Sequence, residues 1–508
     1  MSLARTQTVT LTGVAGQVVG VEVDAAPGVP GLTLVGLADT AVSEARDRVR
    51  AALVNVGEAW LSRKVTINLS PASVRKRGSG FDLALACACL AAFDALPGDA
   101  IANQVLIGEL GLDGALRPVR GILPMVIAAV ERGWTQFVVP DTCGLEAALV
   151  PGADVTVAAD LAEAVAVLRG VAAPRTATKT DRPVELDGPD LVDVSGQATP
   201  RLAVEVAAAG AHHLFMHGAP GAGKTLLAER LPGLLPALDP AASLEVTAVH
   251  SVAGTLSPEH PMVVRPPFQA PHHTASAPAL IGGGAGVARP GAASLAHRGV
   301  LFLDEAPEFS SRALETLRQP METGSVVLAR SESSVRYPAH FLLILAANPC
   351  PCGRSTGRGL DCTCTPQQKM RYSARLSGPL MDRIDLRVPV LPVPRADLLD
   401  GRGGEGSAAV RERVLAARAR TARRLDGTPW HVNGELPGPL LRTTFPVRPD
   451  GLAVVSDEVS RGRLSARGLD RVLRVSWTLA DLAGVDRPGA AEVAGAIALR
   501  GGGVPWAA

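Results

Sequence analysis

Several features that often point to a function are scarce in this sequence. Aromatic residues make up only 3% of the 508 residues, which leaves few side chains for stacking on nucleic-acid bases. Fifty basic residues face 49 acidic ones, so the net charge is +1. Overall charge therefore does not indicate a nucleic-acid-binding protein, and any such contact must come from local patches. Only five of the basic residues are lysines, so each lysine is informative.

Two further absences concern the cellular compartment. The longest nearly uncharged apolar run, residues 83–93, is shorter than the roughly 20 residues that a transmembrane helix needs. The amino terminus lacks an apolar segment followed by a small-residue cleavage site, so no secretory signal is predicted. These observations predict a cytoplasmic protein without a membrane partner.

The patterning along the chain predicts three domains. Residues 1–170 alternate short β-like runs with helical patterns, as in an α/β or α+β unit, and residues 171–194 have the composition of a linker. Residues 195–395 show a strand, a glycine loop, a helix and further apolar strands, which predicts a parallel sheet flanked by helices. A second linker is predicted at 396–407, followed by a mostly helical, arginine-rich segment, 408–508.

The clearest motif is a glycine-rich loop between an apolar strand and a helix. Residues 214–225 read LFMHGAPGAGKT and contain the pattern G-x-x-x-x-G-K-[ST]. In this pattern the backbone N–H groups face phosphates, Lys224 reaches the β and γ oxygens, and Thr225 ligates Mg²⁺. An ordinary glycine-rich turn is the alternative, but the strand and helix around the loop favour an ATP site. The predicted ATP and Mg²⁺ ligands are Gly218, Ala219, Pro220, Gly221, Ala222, Gly223, Lys224, Thr225, Leu226 and Asp304.

Polar residues end two later apolar strands. GVLFLDEAPEF places Asp304 and Glu305 at a carboxyl edge, where ligands of parallel sheets collect. Asp304 is predicted to hold Mg²⁺ through water, and Glu305 to orient and polarise the attacking water. HFLLILAAN ends at Asn348, whose amide suits the lytic water or the γ-phosphate. A helix cap is the alternative for the acidic pair, and a turn for Asn348.

Two arginines are candidates for transition-state stabilisation. SGPLMDRIDL carries Arg383, and LSARGLDRVLRV carries Arg467 on a helical pattern. A guanidinium supplied by a neighbouring subunit or a lid can offset the charge that develops during phosphoryl transfer. Taken alone, either arginine is better explained as a solvated salt-bridge partner.

Seven segments, taken together, carry a family resemblance: PFQAPHHTASAPALIGGG, PGAASLAHRGVLFLDEAPEF, NPCPCG, SGPLMDRIDL, VGLADTAVSEARDRVRAAL, GSGFDLALA and LSARGLDRVLRVSWTLADLAG. They resemble the YifB/ComM family of AAA+ ATPases, also called magnesium-chelatase-like proteins. The resemblance implies a ring, taken as a hexamer, with ATP bound between subunits. It also implies that Lys224, Thr225, Asp304, Glu305 and Asn348 act in cis, Arg383 as the trans arginine finger, and Arg467 as sensor 2 of a helical lid.

The same resemblance suggests what ATP hydrolysis drives. ComM-type members act as DNA branch-migration helicases, so DNA translocation or junction remodelling is predicted, with single-stranded or branched DNA as the partner. A chelatase-like motor that remodels a protein partner during metal insertion into a tetrapyrrole is the alternative. A nucleotide-binding scaffold without turnover is disfavoured because Glu305, Asn348 and Arg383 are all present.

Residues 1–170 resemble the Lon-protease (ribosomal S5-like) fold. IGELGLDGALRPVRGILPMVIAAVERG resembles the Lon segment with the catalytic lysine, and Ser79 falls near the position of the nucleophile. Leu123 occupies the lysine position, and leucine cannot activate a serine hydroxyl. No peptidase activity is therefore predicted. The implied fold is an α/β AAA+ core with a parallel sheet, preceded by this α+β domain and followed by a helical lid.

Four of the seven cysteines crowd into residues 350–364. Cys350, Cys352, Cys362 and Cys364 form C-x-C, nine residues and C-x-C, which favours metal binding in a chain without an export signal. Four thiolates can hold a structural tetrahedral Zn²⁺ with no open position for water. Two disulfides or free thiols are the alternatives.

Two segments are candidates for DNA contacts. VVLARSESSVRYPAHF predicts a β-hairpin, and related AAA+ motors point such a hairpin into the ring pore, where Arg330 and Arg336 are predicted to grip phosphates. Residues 408–425 contain six arginines and one glutamate, but a solvated face or a subunit contact is at least as good an explanation. His272 and His273 are considered as metal ligands and disfavoured, because they lie in an insertion typical of the family.

Overall fold

A long antiparallel hairpin forms the centre of the first sheet. The computed structural model describes residues 2–60, 62–177, 188–284, 288–329, 334–355, 361–393 and 404–501. The strands of the first domain are β1 (Ser2–Thr12), β2 (Ala15–Ala26), β3 (Gly31–Val35), β4 (Lys64–Ser70), β5 (Gln104–Leu106), β6 (Glu109–Leu110), β7 (Leu116–Arg117), β8 (Gln136–Pro140), β9 (Asp154–Ala158) and β10 (Arg175–Thr176). Eight of them form a mixed sheet in the order β10-β9-β8-β5-β1-β2-β4-β3, while β6 and β7 pair separately.

The helices of this domain are α1 (Thr40–Asn55), α2 (Asp82–Ala92), α3 (Gly98–Ala102), α4 (Ile122–Val130), α5 (Gly144–Ala147) and α6 (Leu161–Leu168). The apolar run at residues 83–93 forms most of α2, and every residue of that helix is buried. A helix that is apolar on all sides must be surrounded by protein, which explains the run without a membrane. Among the described residues, no helix combines the length and apolar character that crossing a membrane requires.

The second domain contains the predicted parallel sheet. Its strands are β11 (Leu214–His217), β12 (Phe268–Gln269), β13 (Gly282–Gly283), β14 (Arg289–Pro290), β15 (Val300–Leu303), β16 (Ser325–Ala329), β17 (Ser334–Pro338), β18 (Leu342–Ala347) and β19 (Leu386–Pro389). Five of these run parallel in the order β12-β15-β18-β11-β19. All residues of β15 and β18 are buried, as expected for strands covered on both faces.

Two short antiparallel ribbons accompany this sheet. β13 pairs with β14, and β16 pairs with β17 in the hairpin that the sequence predicts. The helices of the domain are α7 (Ala198–Gly210), α8 (Lys224–Leu234), α9 (Pro240–Ala253), α10 (Ala277–Ile281), α11 (Ala292–Leu295), α12 (Ser311–Glu315), α13 (Arg318–Thr323), α14 (Pro366–Ser373) and α15 (Gly378–Met381). The mixed α/β architecture with a parallel sheet is thus confirmed.

The carboxyl-terminal region is helical. Its helices are α16 (Ser407–Arg424), α17 (Gly438–Thr443), α18 (Pro449–Ser460), α19 (Ala466–Ala483) and α20 (Ala490–Leu499). The Ser465 side chain caps α19 by accepting the N–H of Gly468, as an N-cap serine does. Apolar residues of these helices join one continuous core with the inner residues of β11, β18 and β19. The helical region therefore packs on the sheet that carries the glycine loop.

Residues near both ends of the predicted first linker, 171–194, belong to the neighbouring domains. Arg175 and Thr176 pair with β9 and extend the first sheet. Leu191 and Val194 are buried in the core of the second domain. Apolar side chains within a polar segment dock on the nearest core because burial removes them from water. Residues 178–187, in the middle of this segment, lie outside the described residues.

The first two domains meet between α4 and α9. The N–H of Gly121 donates to the carbonyl oxygen of Ser251 at 3.2 Å. The Ser251 hydroxyl donates to the Glu146 carboxylate, which also accepts the N–H of Leu123 at 3.1 Å. Burial raises the pKa of Glu146 above its ordinary value. This buried polar contact fixes the start of α4 against the second domain.

Candidate nucleotide site and cysteine cluster

The glycine loop lies at the carboxyl edge of the parallel sheet, between β11 and α8. Gly221 and Gly223 have φ angles of +76° and +97°, in the left-handed region that glycine adopts without steric cost. Gly223 precedes Lys224, the first residue of α8. The unpaired N–H groups of a helix's first turn and its dipole attract anions. Leu226 lies on this first turn with its side chain 45% exposed.

The side chain of Lys224 contacts the backbone of the glycine loop. Its Nζ donates to the carbonyl oxygens of Gly218 and Ala219, at 2.8 and 2.9 Å, and to Oδ1 of Asn348 at 3.1 Å. Burial lowers the pKa of Lys224, and the nearby carboxylates of Asp304 and Glu305 oppose this shift. The ammonium group thus lies where carbonyls and two acids meet, which suits contact with an anionic phosphate.

Thr225 and Asp304 are 79 residues apart in sequence but lie in contact. The Thr225 hydroxyl donates to Oδ2 of Asp304 at 2.8 Å, and Oδ1 of Asp304 accepts the N–H of Glu305 at 2.8 Å. Their closeness follows from the strand order, because β18 alone separates β15 from β11. A hydroxyl and a carboxylate are oxygen ligands of the kind that Mg²⁺ prefers. The pair therefore fits a magnesium ion bound together with phosphate.

Glu305 has an unusual backbone conformation, and its side chain pairs with a histidine. Its φ of +49° is left-handed, which is uncommon for a residue other than glycine. Oε2 lies 3.1 Å from Nδ1 of His273, and the His273 ring packs 4.1 Å from the ring of His272. The two histidines weighed above as metal ligands thus have another partner, since His273 faces a carboxylate at the nucleotide site.

Asn348 follows β18, the strand between those that carry the glycine loop and the two acids. Its Oδ1 accepts the Lys224 hydrogen bond described above. Its backbone contacts the hydroxyl of Tyr372, a residue of α14 whose pKa is raised, chiefly by burial. The structure therefore brings together Lys224, Thr225, Asp304, Glu305 and Asn348 at one edge of the sheet.

The two candidate arginines lie elsewhere on the same subunit. Arg383 donates to the carbonyl oxygen of Pro379 at 2.6 Å and pairs with Glu322. Burial lowers the pKa of Arg383, and the charges of neighbouring arginines, Arg467 among them, add to this shift. Arg467 pairs with Asp382 at 3.3 Å, and its side chain is 75% exposed. In the described part of the chain, neither guanidinium hydrogen-bonds to the glycine loop.

The four clustered cysteines converge on one point. The Sγ atom of Cys350 lies 3.4 Å from that of Cys352 and 3.7 Å from that of Cys362. With Cys364, all four sulfur atoms lie within 4.8 Å of one another, and all seven cysteines of the chain are free thiols. Four sulfur ligands at 2.3 Å from a tetrahedral zinc ion lie roughly 3.8 Å apart. The spacing thus fits a Cys₄ zinc site.

The chemistry of the cluster also fits a metal. The backbone N–H of Arg354 and the neighbouring thiol of Cys350 lower the pKa of Cys352 to about 5. Metal ligands must be thiolates, so a residue that ionises easily favours coordination. The other three cysteines, Cys87, Cys89 and Cys143, are buried in the first domain, and burial raises the pKa of each thiol.

The cysteine loop lies directly on the glycine loop. A Cβ atom added to Gly353 would fall 2.5 Å from Cγ and 2.7 Å from Cδ of Pro220. Gly353 has a φ of +74°, and its N–H donates to the carbonyl oxygen of Cys350 at 2.9 Å. Only a residue without a side chain permits this approach. The candidate metal site and the candidate nucleotide site therefore share a contact.

Ser79 and Leu123, the two residues compared above with the Lon protease site, lie in different settings. The Ser79 hydroxyl donates to the Glu109 carboxylate. Leu123 is fully buried in the first turn of α4, and its N–H is bound by Glu146 at the domain contact. The position that would need a lysine thus lies in the apolar core of the first domain.

The basic segment at 408–425 is largely occupied by internal contacts. Arg413 pairs with Glu205 and Glu405, and Arg418 donates to the carbonyl oxygen of Ala208 at 2.6 Å. Arg424 pairs with Asp481 at 2.6 Å and lies over the ring of Trp477. These contacts favour the structural explanation for the segment.

Of the two arginines predicted to contact DNA, Arg336 lies in the described part of the hairpin. Arg336 lies exposed on β17, opposite Val327 of β16. Arg330 lies outside the described residues. On the same strand, the Tyr337 hydroxyl donates to the carbonyl oxygen of Ala288 at 2.6 Å, and Val335 lies against Gly13 of the first domain. The hairpin thus rests on the turn between β1 and β2.

Sequence patterns missed the contacts of His273, Tyr372 and Gly353 with the candidate site. The signal for His273 was its position four residues after β12, at the same sheet edge as Glu305. Nothing local distinguishes Gly353 from the chain's other glycines, since its importance comes from Pro220, more than a hundred residues away.

Comparisons with known proteins cover almost the whole chain. Residues 190–398 match the family model of magnesium chelatase, subunit ChlI; residues 21–143 match a model of subunit ChlI of Mg-chelatase, and residues 404–500 match one of the ChlI carboxyl-terminal region. An uncharacterized protein of Mycobacterium tuberculosis is 50% identical over 502 residues, which cover 98% of this chain and 99% of that protein.

Two further relatives are similar over a comparable length. The uncharacterized protein YifB of Escherichia coli is 40% identical over 484 residues, or 95% of this chain and 94% of that protein. The competence protein ComM of Haemophilus influenzae is 38% identical over 504 residues, or 97% of each chain. The predicted resemblance is confirmed, and the chain belongs to the YifB/ComM family of magnesium-chelatase-like AAA+ proteins.

Proposed function

We propose that this protein is a ring-forming AAA+ ATPase, assembled as a hexamer, that couples ATP hydrolysis to DNA translocation or branch migration. The observation that carries the ATPase part is the joint placement of Lys224, Thr225, Asp304, Glu305 and Asn348 at one sheet edge. Phosphoryl transfer requires positioning and charge stabilisation, and this set supplies both.

Each residue has a distinct role in this proposal. Lys224 would bind the β and γ phosphate oxygens. Thr225 and Asp304 would hold a Mg²⁺ ion, whose charge would offset that of the phosphates. Glu305 accepts the proton of the attacking water, and Asn348 orients that water or the γ-phosphate. The backbone of the loop between Gly218 and Gly223 lines the phosphates. Leu226 follows on the first turn of α8, beside the bound nucleotide.

In this proposal Arg383 acts at the neighbouring subunit's nucleotide as the arginine finger, and Arg467 is sensor 2 of the helical lid. Both side chains belong to one arginine cluster, and the repulsion between them contributes to the lowered pKa of Arg383. Asp382, adjacent to Arg383, pairs with Arg467. Phosphate bound by the next subunit would add negative charge beside these arginines, which pair with Glu322 and Asp382 in their own subunit. The closeness of the two side chains supports the assignment of Arg383 as a trans arginine finger and of Arg467 as sensor 2.

The hairpin of β16 and β17 is the proposed DNA contact. Arg336 is exposed on it, and Arg330 lies in its sequence. Arginines that contact backbone phosphates give affinity that depends on salt and not on base sequence. The support for a DNA substrate is the resemblance to ComM-type helicases, and the competence protein ComM is 38% identical to this chain.

We expect single-stranded DNA or a four-way junction to stimulate ATP hydrolysis, and the stimulation to weaken as salt is raised. Arg336→Ala should weaken DNA binding and lower the slope of log affinity against log salt by about one. Steady-state ATPase rates and DNA titrations at two salt concentrations measure both effects. Lys224→Ala should abolish turnover on every DNA. Arg461→Ala is the matched surface control, since Arg461 pairs with Asp457, four residues earlier in the chain.

An absence of stimulation by any DNA, with basal turnover intact, would favour the second candidate function. This is a chelatase-like motor that remodels a protein partner, and the matches to magnesium chelatase subunit models favour it. The search would then turn to a protein that stimulates turnover.

We also propose that Cys350, Cys352, Cys362 and Cys364 hold a structural zinc ion. The expected result is about one zinc per chain in protein purified without added metal, measured by atomic emission. Cys364→Ser should reduce the zinc content, because three ligands bind more weakly than four. Cys143→Ser, a change in the core of the first domain, should leave the zinc content unchanged. Full-length protein without stoichiometric zinc would exclude the site.

The first domain has no peptidase activity in this proposal. Buried Leu123 supports this, since it offers no base for Ser79. The domain contact at Ser251 and Glu146 supports a structural role for the same region.

A further inference from the structure

The contact between the cysteine loop and the glycine loop has a thermodynamic consequence. We propose that the metal held by the cysteine cluster and the nucleotide held by the glycine loop bind cooperatively, so that each raises the affinity for the other. This inference rests on the zinc site and the ATP site proposed above. It assigns the metal a role in forming the nucleotide site, in addition to holding its own loop.

Chain connectivity is the first support. Cys350 is fully buried and stands two residues after Asn348, whose Oδ1 accepts from Lys224. The carbonyl oxygen of Ala347, just before Asn348, accepts the N–H of Gly218 at 3.1 Å. A metal that fixes Cys350 therefore also restrains the strand end that contacts the glycine loop.

Packing is the second support. The Gly353 backbone lies against the Pro220 ring so closely that no side chain fits between them. Pro220 lies in the middle of the glycine loop, between Gly218 and Gly223. Because Gly353 stands next to Cys352, a change in the position of the Cys352 thiolate moves the surface on which Pro220 rests.

The local structure explains why a metal is needed for this. The described residues between β18 and α14 form turns and irregular backbone without a helix or strand. Such a segment has few backbone hydrogen bonds of its own, so a metal that crosslinks four side chains supplies much of its order. One hydrogen bond also links this segment to α14: Nζ of Lys369 donates to Oγ of Ser355 at 2.7 Å.

Thermodynamic linkage between the zinc site and the nucleotide site sets the size of the expected effect. If nucleotide raises zinc affinity by some factor, zinc must raise nucleotide affinity by the same factor. We expect a factor of at least about five, the lower end of typical coupling between two sites. The zinc dissociation constant of full-length protein is measured by competition with a zinc-selective chelating dye, with and without a non-hydrolysable ATP analogue and Mg²⁺. The nucleotide dissociation constant is measured with a fluorescent ATP analogue on zinc-loaded and zinc-depleted protein.

Gly353→Ala tests the contact itself. This variant keeps all four cysteines, so it should bind zinc, but its Cβ would separate the two loops and reduce the coupling factor toward one. Gly462→Ala is the matched control, because Gly462 has a similar φ of +70° and no atom within 4 Å of an added Cβ. Gly462→Ala should keep the wild-type factor. Lys224→Ala should remove the effect of nucleotide on zinc affinity.

The possible failures can be told apart. Equal dissociation constants for zinc with and without nucleotide, in protein that binds both, would overturn the coupling and leave the ATPase and zinc proposals standing. Protein that binds nucleotide but no zinc would overturn the coupling together with the zinc site. Protein that binds zinc but no nucleotide would overturn it together with the ATPase proposal. A coupling factor unchanged in Gly353→Ala would exclude the loop contact as its origin.

Discussion

The Glu305→Gln variant is expected to hydrolyse ATP about 100-fold to 10,000-fold more slowly than the wild-type protein while still binding ATP. Glutamine matches glutamate in size but cannot accept the proton of the attacking water. Lys224, Thr225 and Asp304 are untouched by the change, so nucleotide should remain bound and accumulate on the protein. Single-turnover hydrolysis and binding of a fluorescent ATP analogue measure the two effects separately.

The matched control for this variant is Glu308→Gln. Glu308 lies three residues further on, is exposed, and pairs with Arg375 at 2.9 Å. Its replacement should change the rate little. Normal hydrolysis by Glu305→Gln would remove Glu305 as the general base, whereas a loss of ATP binding would indicate that its charge serves the binding site.

The second large effect is expected at Arg383. Arg383→Ala should lower ATP turnover by about 10³-fold to 10⁵-fold, because an arginine finger neutralises charge that develops only in the transition state. In its own subunit Arg383 contacts Pro379 and Glu322, not the glycine loop. The loss should therefore appear in turnover, with much less change in the affinity for ATP.

Mixing two inactive variants tests whether Arg383 acts across the subunit interface. When Arg383→Ala is mixed with Glu305→Gln, some interfaces pair an intact Glu305 with an intact Arg383, so part of the activity should return. Glu305→Gln mixed with Lys224→Ala should stay inactive, because every nucleotide site then lacks one residue of its own subunit. Absence of recovery in the first mixture, with mixed rings demonstrated by pull-down of differently tagged subunits, would contradict a trans role.

The pairing of His273 with Glu305 explains why glutamine, and not alanine, is the better replacement for Glu305. The imidazole lies 3.1 Å from one carboxylate oxygen, so the other oxygen is the better placed of the two to accept a proton. Glutamine can keep a hydrogen bond to the histidine ring while losing its basicity. The glutamine variant therefore changes the chemistry of this residue with little change in its contacts, which alanine would not do.

Several features of the site were predictable because they depend on short stretches of chain. The glycine loop is encoded by eight consecutive residues, and the acids and Asn348 each follow an apolar strand. Parallel strands end at the same edge, so the sequence alone implied that these side chains meet. The spacing of the four cysteines likewise implied a cluster, since C-x-C brings two thiols close within three residues.

The partners of these residues were decided by tertiary packing. Residues 408–425 have the composition of a DNA-binding helix, yet Arg413, Arg418 and Arg424 contact acids, a carbonyl and a tryptophan within the fold. Local charge counts cannot predict this, because Asp481, Glu205 and the carbonyl group of Ala208 lie 57 to 210 residues away from these arginines along the chain.

The sequence by itself determined the family, the parallel sheet and the residues that meet at the glycine loop, since each depends on local motifs and periodicity. Only the tertiary structure decided that His273 faces Glu305, that Arg467 lies beside Arg383, and that the cysteine loop rests on Pro220. These contacts join segments distant in sequence, and they depend on strand order and close packing, which no local pattern encodes.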